Sequence, residues 1–159
     1  MNRTEIRALP YVDTHTTLVA ADPDAVWHAL GEVVGRSFSR GRMAGVARLL
    51  GCADRAPAGP RPMAEGSVLG GFRVAAAVPG RELALVGRHR FARYALVFRL
   101  DAAGADRTRL RAETRAAFPG PAGAVYRGLV IGTGGHAVAV RRLLAAVRGR
   151  APEGARHQG

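Results

Sequence analysis

Lysine is absent from this chain: all 24 basic residues are arginine. Together with the abundance of Ala and Gly, that points to a GC-rich coding sequence. The formal charge of +12 is therefore weak ground for a nucleic-acid partner. The arginines are also spread along the chain rather than clustered, as a nucleic-acid footprint would require. A lone cysteine, Cys52, excludes an internal disulfide and a Cys-based zinc site, and it suits a reducing compartment. No run reaches the roughly 18 uninterrupted apolar residues of a membrane span. Met1 to Pro10 holds no apolar segment of signal-peptide length. These absences lead to the expectation of a cytoplasmic protein with no transmembrane segment and no nucleic-acid partner. No two histidines share a helix face at metal-ligand spacing, so neither a metal nor another cofactor is expected.

What is present is the composition of a globular domain. Hydrophobic residues make up 48% of the 159 and charged residues 23%, outside the disordered range. Residues 11–20 alternate and are rich in β-branched side chains, which predicts a strand. Asp22, Pro23 and Asp24 form a helix start, with Asp22 as cap and Pro23 in the first turn. Val26, Trp27, Leu30, Val33 and Val34 give that helix an apolar face. A second short helix is expected over Met43 to Leu50. Residues 51–66, with Pro57, Pro60 and Pro62, read as a loop. Strands follow over Phe72–Val78, Glu82–His89, Tyr94–Asp101 and Arg107–Phe118, with a less certain one near Ser67. From Ala122 to Arg148 the spacing turns helical, and Gly132, Gly134 and Gly135 weaken its middle. Its expected inward stripe is Val125, Leu129, Gly132, His136, Val140, Leu143 and Val147. Residues 1–148 are read as one domain and 149–159 as a disordered tail.

The order is strand, two helices, a run of antiparallel strands and a long helix. It resembles the START-like superfamily of helix-grip folds, which includes polyketide cyclase/dehydrase and lipid-transport families and the Bet v 1 allergens. The resemblance sits in Val19-Ala20-Ala21-Asp22-Pro23-Asp24-Ala25-Val26-Trp27, similar to the superfamily's strand end, Ala-Pro turn and "VW" helix, with Asp22 in place of the usual first proline. It continues in Val78-Pro79-Gly80-Arg81, Leu96-Val97-Phe98-Arg99-Leu100 and Thr108-Arg109-Leu110. What it implies is an α+β fold in which a curved antiparallel sheet wraps a long C-terminal helix, with two short helices after the first strand. It also implies an internal cavity.

Alternation then assigns faces. In the first strand it leaves two sets open: Val19, Thr17, His15, Asp13 and Tyr11, or the somewhat more apolar Leu18, Thr16, Thr14 and Val12. The resemblance places Val19, and hence the first set, inward. In the later strands, the cost of burying unpaired arginine decides. Leu110, Ala112, Thr114, Ala116 and Phe118 point in, as do Tyr94, Leu96, Phe98 and Leu100. Phe72, Val74, Ala76 and Val78 join them, with Leu83, Leu85, Gly87 and His89. Many of these are small, which favours a cavity, its mouth near residues 51–66. The outer face would carry Arg73, Arg88, Arg90, Arg99, Arg109, Arg111 and Arg115, answered by Glu82, Asp101 and Glu113.

The expected function is binding of a small apolar or aromatic molecule, polyketide-, terpenoid- or lipid-like, as carrier or sensor. Its contacts would be Tyr94, Tyr126, His89, Phe98, Leu110, Thr114, Phe118 and Leu129. The alternative is a cyclase, dehydratase or isomerase of secondary metabolism that confines its substrate. There His136 would be the acid–base residue, assisted by His15 and Asp13. A third feature is the Arg-rich sheet face, which suits an acidic carrier protein.

Overall fold

The structure is a computed structural model that describes residues 1–39, 49–52 and 63–151. It opens with a helix the sequence reading did not anticipate, α1 (Arg3–Ala8). A local signal for it exists. Asn2 Oδ1 accepts from the Glu5 amide at 2.9 Å and the Glu5 carboxylate accepts from the Asn2 amide at 2.6 Å, a reciprocal capping box that satisfies two orphan amides. Strand β1 (Tyr11–Val19) follows, then α2 (Pro23–Ser39). Asp22 Oδ1 accepts from the amides of Asp24 and Ala25, both at 2.9 Å. Helix α2 runs five residues past the expected end at Val34, to Ser39. Of the second helix expected over 43–50, Leu49 and Leu50 are helical, and residues 43–48 lie outside the described residues. So does most of the expected loop.

Strands β2 (Val68–Leu69), β3 (Phe72–Val78), β4 (Glu82–His89), β5 (Ala92–Ala102) and β6 (Thr108–Ala117) complete a six-stranded sheet of order β1-β6-β5-β4-β3-β2. Every adjacent pair is antiparallel. The sheet is curved, and its concave face buries Val19, Leu83, Leu85, Leu96, Phe98, Leu100, Leu110 and Ala112 against α2 and the C-terminal helix. The convex face is not only arginine. Ala76, Ala84, Val86, Ala95 and Val97 form a second apolar cluster there, closed by Ile6 of α1 and by Leu9, which caps its C-terminal end.

Two bulges shift the expected faces. Between Val74 and Ala76 the β3–β4 register slips. Ala76 therefore joins the convex cluster and Ala77 the concave one, the reverse of the alternation reading. Between Tyr11 and Asp13 the β1–β6 register slips as well, and Tyr11, expected inward, is 59% exposed.

The long C-terminal helix is two helices. α3 (Gly120–Arg127) passes through a π-helical turn (Gly128–Gly132) and a left-handed Gly134, φ +76°, into α4 (Gly135–Arg150). The arms meet at a 48° bend. Thr133 reinforces the break by donating its hydroxyl to the Leu129 carbonyl at 2.5 Å. In consequence Val125 and Leu129, placed on the inward stripe by a continuous helix, are 66% and 64% exposed. Val140, Leu144 and Val147 carry the core contact instead. α4 reaches Arg150 and Ala151 is buried, beyond the expected start of a tail at Gly149; residues 152–159 lie outside the described residues. No single helix among the described residues is long and apolar enough to cross a membrane.

Candidate functional site

The first strand presents the face that the resemblance implied. Asp13 pairs with Thr114 and His15 with Ala112 across β1–β6, so all four share the concave side. His136, second residue of α4, comes down on them. Its Nε2 lies 2.9 Å from Thr114 Oγ1 and 3.5 Å from Asp13 Oδ1. The other carboxylate oxygen, Asp13 Oδ2, lies 3.1 Å from His15 Nε2. One carboxylate thus stands between two imidazoles, with a hydroxyl beside the second. His136, His15 and Asp13 come together as expected, and Thr114, expected only to line the site, is bonded to His136. The break before α4 makes this possible: Gly134 turns the chain so that the first turn of α4 meets β1 and β6.

Burial holds the His136 imidazole below its ordinary value near 6.5, against the pull of the Asp13 carboxylate, and His15 pushes further down. The ring is therefore neutral at pH 7 and can take a proton. Asp13 Oδ1 is buried and has no hydrogen-bond partner. A buried acceptor without a donor is costly, and a ligand hydroxyl or a water would relieve it.

Beside this cluster runs a chain of half-buried rings. Phe38 of α2 meets Phe72 at 4.7 Å between centroids, Phe72 meets Tyr94 at 5.2 Å, and Tyr94 meets His89 at 5.5 Å. His89 meets Tyr126 of α3 at 4.8 Å, and Tyr126 meets Phe91 at 5.7 Å and Phe118 at 6.2 Å. Gly87 makes the arrangement possible. A Cβ there would sit 2.4 Å from the Tyr94 ring and 2.3 Å from the Gly71 carbonyl, so only glycine lets that ring lie on β4. Tyr94 donates its hydroxyl to the Gly71 carbonyl at 2.6 Å, and Cys52, buried, has its Sγ 3.9 Å from the same hydroxyl. The Phe91 amide donates to His89 Nδ1 at 3.1 Å. Burial lowers His89, so the ring is neutral with Nε2–H free to donate. Burial raises the Tyr126 hydroxyl above its ordinary 10, which keeps it a donor. Tyr94 pairs with Ala116 and Leu96 with Thr114. The rings and the His136 cluster therefore lie one same-face step apart, about 7 Å along β5–β6.

Of the expected ligand contacts, Tyr94, Tyr126, His89, Phe118 and Thr114 gather here. Phe98 and Leu110 are fully buried in the core under α2 and α4. Leu129 is turned outward by the helix break and leaves the site. Phe38 and Phe91 were not foreseen, because one lies past the expected end of α2 and the other in the β4–β5 turn. A separate open cleft of about 390 Å³ lies between α2 and α4, lined by Val33, Arg36, Ala146 and Arg150. None of Asp13, His15 and His136 lines it. Among the described residues no group of three or more His, Cys, Asp or Glu side chains is arranged to hold a metal.

No family model and no curated protein matches the chain. Solved structures do. It is similar to CalU16 from Micromonospora echinospora, at 15% identity and TM-score 0.56, over 92% of this chain and 83% of that one. It is similar to the ZhuI aromatase/cyclase from Streptomyces sp. R1128, at 17% and 0.55, over 87% and 92%. It is also similar to truncated norcoclaurine synthase from Thalictrum flavum, at 11% and 0.57, over 91% and 97%. At these identities the likeness is one of fold. With the all-antiparallel curved sheet and the C-terminal helix in its grip, the chain has the helix-grip fold that these structures share.

Proposed function

We propose that this protein binds a small aromatic or polyketide-, terpenoid- or lipid-like molecule against its concave face, as a carrier or sensor. The observation that supports this most directly is the chain of half-buried rings from Phe38 to Tyr126, whose Tyr94 lies one same-face step from the His136–Asp13 cluster, where the buried Asp13 Oδ1 makes no hydrogen bond. Stacked rings offer apolar area and edge contacts to a flat ligand, while His89 and Tyr126 offer donors. A titration of polycyclic phenols, flavonoids and fatty acids by calorimetry tests it. The expected result is saturable binding by at least one aromatic member, weakened about tenfold or more in Phe72→Ala. Absence of saturable binding across the panel counts against it.

A second reading is catalysis of cyclisation, dehydration or isomerisation, and the geometry of His136 favours it. A carrier needs no neutral imidazole flanked by a carboxylate and a hydroxyl. A substrate confined beside the cluster could lose a proton to His136. Asp13 would stabilise the imidazolium formed, and His15 would hold that carboxylate in place. His136→Ala is then expected to lower turnover about 100-fold or more while ligand affinity and the circular dichroism spectrum are retained. Full turnover in that variant leaves the carrier reading. An acidic carrier protein on the convex face belongs to the same proposal. Arg99, Arg111 and Arg115 are already paired with Glu82, Glu113 and Asp101, so such a partner would meet Arg88 and Arg93 instead.

A further inference from the structure

The outward side of α3 carries a feature that ligand binding does not use. Val125 and Leu129, one turn apart, are 66% and 64% exposed, and Val138, past the bend, is 45% exposed. Leu49, 77% exposed, belongs to the same end of the molecule. The carbonyl of the adjacent Leu50 accepts from the Arg90 amide at 3.4 Å, and α3 packs its Gly123 on the backbone of Phe91 and Phe118. Isolated exposed aliphatics are ordinary, but several on one broken helix beside a ligand site are not. The charge around them is one-sided. From Thr114 to Ala151 there is no Asp or Glu, while Arg127, Arg141, Arg142 and Arg148 fall in that span; Arg115 and Arg150, also within it, are paired with Glu113 and Glu32.

We propose that the outward side of α3, with the bend into α4, docks on an anionic lipid surface. Protruding aliphatics flanked by arginine and free of carboxylates have the make-up of an interfacial helix, whose apolar side chains enter the headgroup boundary while its cations meet lipid phosphates. A second copy of the chain is the poorer occupant: two partners each carrying a formal +12 repel, and the span supplies no carboxylate of its own to answer Arg127, Arg141, Arg142 and Arg148. Tyr126, on the same helix, faces inward onto His89 and Phe91, so α3 has the membrane on one side and the aromatic rings on the other. The 48° bend over Gly128–Gly135 gives α3 a direction different from α4, which Val140, Leu144 and Val147 anchor in the core. An apolar ligand could thus pass between bilayer and site without crossing water.

Flotation of the full chain with phosphatidylcholine vesicles, with and without phosphatidylglycerol, tests this, and no bound ligand is required. The wild type is expected to float with the phosphatidylglycerol vesicles and not with pure phosphatidylcholine. Leu129→Ser should cut the bound fraction severalfold, and Val125→Asp with Leu129→Asp about tenfold or more in partition coefficient. Both side chains are exposed, so thermal midpoint and circular dichroism should stay unchanged. Phe72→Ala, which weakens ligand binding, should float as the wild type does, so the two proposals fail separately. Three results overturn the docking proposal: no flotation, flotation equal in wild type and both variants, or a wild-type dimer in light scattering that the double variant breaks.

Discussion

At the scale of single residues, the site depended on one bit of information, the register of β1. Alternation alone offered two faces, and the set not chosen, Leu18, Thr16, Thr14 and Val12, was the more apolar. Only the short motif before the Asp22-Pro23 turn put Asp13 and His15 inside. The structure pairs them with Thr114 and Ala112, and His136 arrives from a helix more than a hundred residues later. That meeting depends on the fold, which single-residue chemistry does not state. The same holds for His89, whose Nδ1 is occupied by the Phe91 amide. Both imidazoles are held below 6.5 mainly by burial, and this has a consequence for stability. In the unfolded chain they titrate near 6.5, so between that value and the lower folded value the unfolded chain binds more protons. Stability is then independent of these groups above about pH 6.5 and falls as the pH drops towards the folded values. We expect the thermal midpoint to fall between about pH 7 and pH 5, and to fall less in His89→Gln, where that linkage is gone. A midpoint equally pH-dependent in both proteins would show that folding leaves the proton affinity of His89 unchanged.

At the scale of elements, sequence patterning was readable wherever a strand had one clean face. Leu110 to Phe118 is the clearest case, because each intervening residue from Arg109 to Arg115 is charged and costly to bury. Patterning failed where the backbone departs from its period. A bulge adds one residue and inverts the faces that follow, as at Ala76; nothing in Phe72-Arg73-Val74-Ala75-Ala76-Ala77-Val78 marks the place, since small residues fit either side. The C-terminal helix shows the converse. Its glycines were visible, yet a periodic stripe ran straight through them, and the break moved Leu129 from the expected site to the surface. Gly134 and Gly132 should therefore respond differently to alanine. At φ +76°, a Cβ at Gly134 is strained, and Gly134→Ala is expected to cost about 1 kcal/mol. Gly132 has no positive φ and open space around a built Cβ, so Gly132→Ala should be neutral or stabilise by up to about 1 kcal/mol through helix propensity. Chemical denaturation of the two variants decides it; equal losses would mean the break is set by packing rather than by Gly134.

At the scale of the whole molecule, an excess of arginine poses the question of whether net charge or local pairing governs its energetics. The convex face separates the two. Arg88 of β4 lies directly across from Arg93 of β5, and both are exposed. Directly opposed like charges destabilise a strand pair. Arg109 of β6 lies instead across from Asp101 of β5. Arg88→Glu and Arg109→Glu each lower the net charge by the same amount, so any relief of overall self-repulsion is common to both. Their local effects have opposite signs. The first turns a repulsive pair into an attractive one, and the second puts two carboxylates opposite each other. We expect Arg88→Glu to stabilise and Arg109→Glu to destabilise, with a difference of about 1 kcal/mol at low salt. Both sites are exposed and screened, so the difference should shrink as sodium chloride approaches about 1 M, where the screening length falls to about 3 Å. Thermal midpoints raised equally by both substitutions would show that the charge of the whole chain, not its arrangement on the sheet, sets the electrostatic cost of folding.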